Sequence, residues 1–231
     1  AGERGVRLLA IGLGDENDRG DMPGEMGAAL PFIDLGVGKS VEALDAGGSM
    51  TCAVLQGGVL KCWGRNVYGQ LGLGVKEPGK GDAPGEMGDA LPAVNLGPNA
   101  VVKQVACGSA SVCALLQTGV VKCWGGQNNN GELGAGTLFP GDWIGDEPDE
   151  MGANTITANL GPPVKSITAG SASFCGLLEG GSLKCWGLNS SGQLGLGDTT
   201  DRGKAPNQMG NNLPFVNLGL VPGESIADLS L

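Results

Sequence analysis

The stretch CAVLQGGVLKCWG, residues 52–64, places two cysteines ten positions apart on either side of a Gln-Gly-Gly turn. Apolar residues fill both arms, and the paired glycines favour a tight turn, so the pattern predicts a two-stranded antiparallel hairpin. The same pattern recurs as CALLQTGVVKCWG from Cys113 and as CGLLEGGSLKCWG from Cys175. The sequence therefore uses one type of hairpin three times.

Opposed residues of an antiparallel hairpin have a constant sum of positions, so the midpoint of each cysteine pair should lie in the turn. The midpoints are Gly57, Thr118 and Gly180, and each falls in the predicted turn. Directly opposed Cβ atoms lie about 4.5–5.5 Å apart, which a twisted hairpin can reduce to the roughly 3.5–4.5 Å of a disulfide. Reduced core thiols are an alternative, and zinc is disfavoured by the wide spacing. We predict three disulfides: Cys52 with Cys62, Cys113 with Cys123, and Cys175 with Cys185.

Alignment on the cysteines divides the chain into repeated units. Each unit has an acidic Gly/Pro loop ending in Met-Gly, a short apolar segment such as LPFIDLG, a strand-like run, the hairpin, and an ending such as GQLGLG. This pattern gives about four short strands per unit and no clean helical period, so it predicts an all-β fold of β-propeller blades, each with about four antiparallel strands. We expect one propeller-type domain with an N-terminal edge segment (1–11), three full blade units (12–74, 75–136 and 137–197) and a partial fourth unit (198–231).

Composition narrows the functional classes. The chain of 231 residues carries a formal charge of -10 and has no block of basic residues, so we predict no nucleic-acid partner. It contains no histidine, which removes the commonest general base and a common zinc ligand. No apolar run approaches the roughly 20 residues that span a bilayer. We therefore predict a protein that is not an enzyme, with no cofactor, no metal site and no membrane span.

The motifs CWGRNVYGQLGLG and CWGLNSSGQLGLG, preceded by the pattern AGxxxxCxLLxxGxxKCWG, resemble the regulator of chromosome condensation repeat family. The resemblance runs from about Gly12 to Gly219 and implies a propeller, usually of seven blades. Three units and a remnant are too few for such a ring. We therefore expect an incomplete arc, either as part of a longer chain or as part of a ring that several copies complete. The family's histidine before the first arm is absent, and Met50, Ala110 and Ala172 lie in that neighbourhood.

Three further sets of residues have a fixed place in the repeat. Cys107 aligns with Ala46 and Ala169, so we predict a buried free thiol, with a bridge to another chain as the alternative. The repeated tryptophans should pack between blades: Trp63, Trp124 and Trp186. The repeated lysines predict a solvated strand face with apolar stems: Lys61, Lys122 and Lys184.

Two residues outside the repeat pattern are candidates for contact or modification. Trp143 lies in the loop FPGDWIGDEPDE, which has no equivalent aromatic residue in the other units, and we predict that it contacts a partner. Asn189 begins an Asn-Ser-Ser sequon and is a predicted glycosylation site. Disulfides and a glycan both indicate the extracellular space or a secretory lumen, whereas reduced cysteines would indicate the cytoplasm.

Four functions remain open. The first is a non-catalytic extracellular scaffold that binds a protein or a glycan. The second is a structural unit that self-associates, or joins a larger assembly or appendage, through open blade edges. The third is a secreted enzyme inhibitor, because similar repeats occur in a secreted bacterial β-lactamase inhibitor. The family resemblance also implies guanine-nucleotide exchange on a small nuclear GTPase, which the acidic charge and the predicted disulfides disfavour.

Overall fold

The computed structural model describes residues 12–126, 128–138, 143–221, 224, 226 and 229, and the predicted edge segment 1–11 lies outside them. The described residues form three antiparallel β-sheets and no α-helix. The predicted all-β fold of antiparallel blades is confirmed. The sheets follow one another as an open arc, which agrees with the expectation that three units are too few to close a ring.

The sheets are similar and follow the chain in order. The first sheet has the order β1 (Val41–Gly47), β2 (Met50–Leu55), β3 (Val59–Arg65) and β4 (Gly79–Lys80). The second has the order β5 (Val102–Cys107), β6 (Ser111–Leu116), β7 (Val121–Gly125) and β8 (Ile156–Thr157). The third contains β9 (Val164–Ala169), β10 (Ser173–Leu178) and β11 (Leu183–Gly187), and a single bridge joins Gly187 to Arg202.

Short 3₁₀ turns lie in the loops between the sheets. Four of them begin directly after a methionine of the Met-Gly motif, where glycine φ values between +63° and +75° start the turn. The six turns are Gly27–Ala29, Gly88–Ala90, Pro148–Glu150, Gly152–Asn154, Pro206–Gln208 and Gly210–Asn212. In the part of the chain that the structure describes, no helix is long and apolar enough to cross a membrane.

The second strand of each sheet is buried along almost its whole length. All six residues of β6 and all six of β10 are buried, and β2 has one half-buried residue. These strands lie between two neighbours and are covered on both faces, which explains why their sequences are continuously apolar rather than alternating. They form the centre of the core.

The first strands of the three sheets lie side by side and line a cavity of about 410 Å³. The Gln104 side chain donates to the Ile167 carbonyl at 2.7 Å and accepts from the Ile167 amide at 3.0 Å. The Cys107 amide donates to the Asp45 carboxylate at 2.7 Å. Each blade is thus joined to the next by polar contacts along the inner strands.

Four equivalent stretches follow the Met-Gly turns: residues 30–36, 91–97, 155–161 and 213–219. They are here called edge segments and are distinct from the predicted N-terminal segment 1–11. Three of them donate a backbone N–H to the third strand of the sheet before them: Val94 to Leu60, Ala158 to Val121, and Val216 to Leu183, at 2.8–3.0 Å. The first and second sheets are therefore completed by residues that follow Gly74 and Gly136. The boundaries of the sheets thus differ from the boundaries of the predicted sequence units.

Candidate partner-binding surface

Each hairpin contains a disulfide at the position where its cysteines oppose one another. The register pairs Cys52 with Cys62, Cys113 with Cys123 and Cys175 with Cys185. The sulfur atoms of each pair are bonded, and the Cα atoms are 4.1 Å apart. All six cysteines are buried. The bridges therefore lie inside the blades, where they hold the second and third strands of each sheet together.

The repeated tryptophans join neighbouring blades. Trp124 Nε1 donates to the Gln70 carbonyl at 3.0 Å, and Trp186 Nε1 donates to the Glu132 carbonyl at 2.9 Å. A Cβ atom on Gly72 would lie 2.6 Å from Trp124 Nε1, so this position requires glycine. The arrangement agrees with packing between blades. Trp63 differs, because its buried Nε1 has no acceptor among the described residues.

The repeated lysines do not form a solvated face, and that prediction is wrong for two of the three. Lys61 and Lys184 are buried. Lys184 Nζ donates to the Leu160 carbonyl at 2.9 Å and the Gly210 carbonyl at 2.7 Å. Lys122 is half-buried and donates to the Gly152 carbonyl. Burial lowers the pKa of Lys122 and of Lys184 below the usual lysine value. The carbonyl acceptors satisfy the ammonium groups that water would otherwise solvate.

A repeated asparagine has a structural role that the sequence analysis missed. In each unit its side-chain oxygen accepts the amide five residues later, and its nitrogen donates to the carbonyl nine residues later. All three side chains are fully buried. The residues are Asn66, Asn128 and Asn189. The signal available in the sequence was their constant position three residues before each Gly-(Gln/Glu)-Leu-Gly motif, because buried amides in turns need such fixed partners.

This role bears directly on the predicted glycosylation of Asn189. Its side chain is fully buried, and Nδ2 also lies within hydrogen-bond distance of the Thr200 carbonyl and the Asp198 carboxylate. The folded structure does not agree with glycosylation there, because the acceptor nitrogen is enclosed and already donates hydrogen bonds. Sequons give no information on burial, which explains the difference.

Cys107 is a buried thiol at the junction of the first two sheets. Its Sγ lies 3.6 Å from the Asp45 carbonyl, which it can donate to. Burial raises the pKa of the Cys107 thiol well above its usual value, and the neighbouring Asp45 adds to this effect. The thiol is therefore protonated at neutral pH and is not an activated nucleophile.

Trp143 belongs to a cluster of aromatic and cationic side chains, here called the aromatic rim: Arg65, Tyr68, Lys76 and Trp143. The Tyr68 and Trp143 ring centroids are 5.4 Å apart in an edge-to-face arrangement. Lys76 Nζ lies 4.4 Å from the Trp143 centroid, and Arg65 Cζ lies 5.3 Å from the Tyr68 centroid. The two rings are half-buried and the two cations are exposed. The cluster joins the loop between β3 and β4 of the first sheet to the loop between β7 and β8 of the second sheet.

The cations of the aromatic rim have no acidic partner in the described part of the chain. The five ion pairs there involve other arginines and lysines. Arg65 and Lys76 thus place two positive charges on two ordered rings, in a chain with a formal charge of -10. Aromatic rings and arginine are the side chains that most often dominate binding interfaces. Among the described residues, no group of three potential ligands could hold a metal ion.

Comparison with protein-family models identifies the family of the repeat. Two models of the regulator of chromosome condensation (RCC1) repeat match the chain, one at residues 41–70, 102–132 and 164–193, the other at residues 58–115. The chain belongs to the RCC1 repeat family. Each of the three matches of the first model begins at the first strand of a sheet and ends in the turn that contains the buried asparagine. The RCC1 repeat therefore corresponds to the first three strands of each sheet and the turn that follows them.

Similar RCC1 repeats occur in larger proteins. The chain is 32% identical to the ultraviolet-B receptor UVR8 of Arabidopsis thaliana over 193 residues, which is 83% of this chain and 38% of UVR8. It is 38% identical to the probable E3 ubiquitin-protein ligase HERC4 of Homo sapiens over 101 residues, 44% of this chain and 9% of HERC4. The chain thus spans well under half of the length of these relatives.

Solved structures with the same fold support the propeller architecture. Human WBSCR16 superimposes with a TM-score of 0.62 and 23% identity, over 87% of this chain and 45% of that protein. Prp20p of Saccharomyces cerevisiae gives a TM-score of 0.54 and 21% identity, over 76% of this chain and 38% of Prp20p. The structural report on Prp20p describes its binding to Gsp1p and histones. At this level of identity the likeness shows the fold.

Proposed function

We propose that this chain is a non-catalytic scaffold of an oxidising compartment that binds a protein partner through the aromatic rim. The observation that carries the proposal is the rim itself: two exposed cations over two half-buried rings, on a rigid body, with no acidic side chain of the described chain to pair them. Such a surface can receive carboxylates and apolar groups of a partner together.

The use of polar groups elsewhere supports a scaffold. The repeated lysines and asparagines bind backbone groups inside the blades, and the Cys107 thiol is buried with a raised pKa. The full sequence lacks histidine. Reactive chemistry needs accessible groups with matched pKa values, whereas these groups contribute to the fold. The relatives' own activities belong to proteins of which this chain matches only 38% and 9%.

The disulfides support an oxidising compartment, because bridges of this type persist outside the reducing cytosol. The protein purified from its natural source should be six hydrogens lighter before reduction than after it. Intact-protein mass spectrometry under both conditions measures this difference. An unchanged mass would contradict the proposed compartment but would leave the binding surface to be tested separately.

The binding function can be tested with a matched set of variants. The oxidised protein is immobilised, retained macromolecules are identified, and each is rebound in purified form by calorimetry. Trp143→Ala and Arg65→Ala should each weaken binding by about 2 kcal/mol, roughly 30-fold, as expected for central interface residues. Val120→Ala is the control, because Val120 is exposed on the hairpin of the second sheet, outside the rim. Turnover of a small substrate by a protein that retains no macromolecule would overturn the proposal.

A further inference from the structure

The sequence contains one Asn-Gly pair, Asn130-Gly131, and it lies in a turn that each repeat forms. The Gly131 amide donates to the Asn128 carbonyl at 3.2 Å and closes this turn. The first and third repeats form the same turn with Tyr68-Gly69 and Ser191-Gly192, whose glycine amides donate to the equivalent asparagine carbonyls at 3.1 and 2.9 Å. The turn therefore does not require asparagine before its glycine.

The Asn-Gly pair has a reactivity that its two counterparts lack. The side-chain carbonyl carbon of Asn130 is an electrophile, and the backbone nitrogen of Gly131 directly follows it in the chain. Because glycine has no Cβ atom, its nitrogen approaches that carbon with little steric hindrance. Tyrosine and serine have no side-chain carbonyl, so the equivalent turns of the first and third repeats cannot react in this way.

The reaction of such a pair consumes only water. The Gly131 nitrogen loses its proton to hydroxide and attacks Asn130 Cγ, so that a C–N bond forms. The Cγ–Nδ2 bond then breaks, and the nitrogen leaves as ammonia with a proton from water. Water opens the resulting cyclic imide at either carbonyl, which gives aspartate or isoaspartate. In isoaspartate the main chain passes through the side-chain carbons and is longer by one carbon.

The surroundings of Asn130 leave it accessible for this reaction. Asn130 is half-buried, whereas Asn128 is fully buried and its side-chain amide holds two hydrogen bonds of the turn. The bond that must break before the attack is the 3.2 Å bond of the Gly131 amide, the longest of the three equivalent turn bonds. Asn130 is thus both the more exposed and the less constrained asparagine of this turn.

Gly131 lies where the second sheet meets the third. A Cβ atom on it would be 2.5 Å from the Arg202 carbonyl oxygen, so the junction has no space for additional atoms. The next residue, Glu132, is buried, and its carbonyl accepts Trp186 Nε1 at 2.9 Å. The Glu132 carboxylate accepts the Asn130 amide at 2.8 Å. A longer main chain displaces these contacts, and a new carboxylate at residue 130 adds a like charge beside Glu132.

We propose that Asn130 is a site of spontaneous deamidation, and that the isoaspartate formed there loosens the junction between the second and third sheets. The packed junction has no space for the product, so each conversion makes an opening of the junction permanent. The equivalent turn at Gly69 packs in the same way against the second sheet, 2.6 Å from its Cβ position to the Asp146 nitrogen, but it cannot react. The modified fraction therefore increases with the age of the protein at one junction and not at the other.

Peptide mapping of aged protein tests the site. The full chain, with its disulfides intact, is incubated at pH 8, and electron-transfer fragmentation distinguishes isoaspartate from aspartate at residue 130. Isoaspartate should form there at least about tenfold faster than at the exposed Asn17, which precedes an aspartate with a Cβ atom. The rate should rise with pH, because the attacking nitrogen must lose its proton. Equal or slower conversion at Asn130 would overturn the proposal.

The third repeat supplies the matched control variant, Asn130→Ser. It keeps the turn, because Ser191-Gly192 forms it, and it removes the electrophile. Fresh wild type and Asn130→Ser should unfold at the same temperature. The isoaspartate fraction of aged wild type, isolated by anion exchange, should unfold at least about 2–4 °C lower. Aged wild type and aged Asn130→Ser of equal stability would contradict the loosening. Asn130→Asp adds the charge without lengthening the chain and should lower the midpoint less, and an equal shift would overturn the role of isoaspartate.

Hydrogen exchange locates the change within the molecule. The Gly136 amide donates to the Gly203 carbonyl at 3.0 Å across the affected junction. The Gly74 amide donates to the Gly145 carbonyl at 3.1 Å across the junction of the first and second sheets. In the isoaspartate fraction the Gly136 amide should exchange at least about tenfold faster than in fresh protein, while the Gly74 amide should not change. Equal acceleration of both amides, or of neither, would overturn the proposal.

Discussion

The first and second sheets place the same residue position in opposite environments. Leu44 of β1 is 61% exposed, whereas Val105 of β5, which occupies the equivalent position, is 4% exposed. Ile167 of β9 is 1% exposed. The strands have the same pattern, and they differ in that a described sheet precedes β5 and β9, whereas no described sheet precedes β1. In a repeat protein, burial of the interface residues is therefore decided by the neighbouring unit, and the stability of each unit depends on its junctions.

A charge placed at this position should produce the largest difference in stability between a variant of the first sheet and a variant of the second. Val105→Asp buries an unpaired carboxylate and should lower the free energy of unfolding by about 3–5 kcal/mol or prevent folding. Leu44→Asp keeps its carboxylate in water and should change the free energy of unfolding by less than about 0.5 kcal/mol. Urea unfolding followed by fluorescence measures both. Equal losses would contradict the idea that the junction, rather than the strand, sets the difference.

Removal of the disulfides should affect the two sheets equally. Cys52→Ala with Cys62→Ala, and Cys113→Ala with Cys123→Ala, each open a loop with a sequence separation of ten. The chain-entropy model gives about 2–3 kcal/mol for such a loop. The same urea experiment compares the two double variants. A much larger loss in one of them would show that its hairpin also supports a junction.

Loss of a tryptophan N–H should give a smaller difference in stability between variants of the two sheets. Trp124→Phe removes the donor to the Gln70 carbonyl, whereas Trp63→Phe removes a donor with no acceptor among the described residues. Both variants lose similar ring volume. The Trp124 variant should therefore be less stable than the Trp63 variant by about 1 kcal/mol, the net value of one hydrogen bond. Thermal unfolding of the two proteins in parallel would test this, and the reverse order would contradict it.

The Cys107 thiol, at the junction of the first two sheets, should make the smallest contribution to stability, and this contribution should depend on pH. Because its pKa is raised, the folded protein keeps the thiol proton at a pH where the unfolded chain loses it. The free energy of unfolding should thus fall as pH rises above about 8.5. Cys107→Ala should remove that part of the fall. Native Cys107 should also resist maleimide at pH 8, and rapid labelling of the folded protein would show that the junction opens.

The local sequence pattern was enough to predict the hairpins and the opposition of Cys52 and Cys62. Both depend on residues that are at most about ten positions apart in the sequence. The contacts of Lys184 were not accessible in this way. Its acceptors lie 24 residues before it and 26 after it. An alternating strand pattern normally puts such a lysine in water, and only the arrangement of neighbouring loops reverses that expectation.

Part of the candidate surface could be predicted, and part could not. Trp143 was identifiable as an aromatic residue outside the repeat. Its neighbours Tyr68 and Lys76 come from a loop more than sixty residues earlier, and nothing near Trp143 in the sequence specifies them. Asn189 shows the opposite error, because a short motif was recognisable while the fold assigned its amide to a buried turn.

The two buried lysines limit how such a gene can change by duplication. Each of their ammonium groups meets a carbonyl from the loop before its blade and another from the loop after it, as Lys61 does with Leu35 and Gly88. Gain or loss of one complete repeat brings the same three groups together again. A breakpoint that adds part of a repeat would leave a buried ammonium without its acceptors, so blade number can vary in evolution while blade length is constrained.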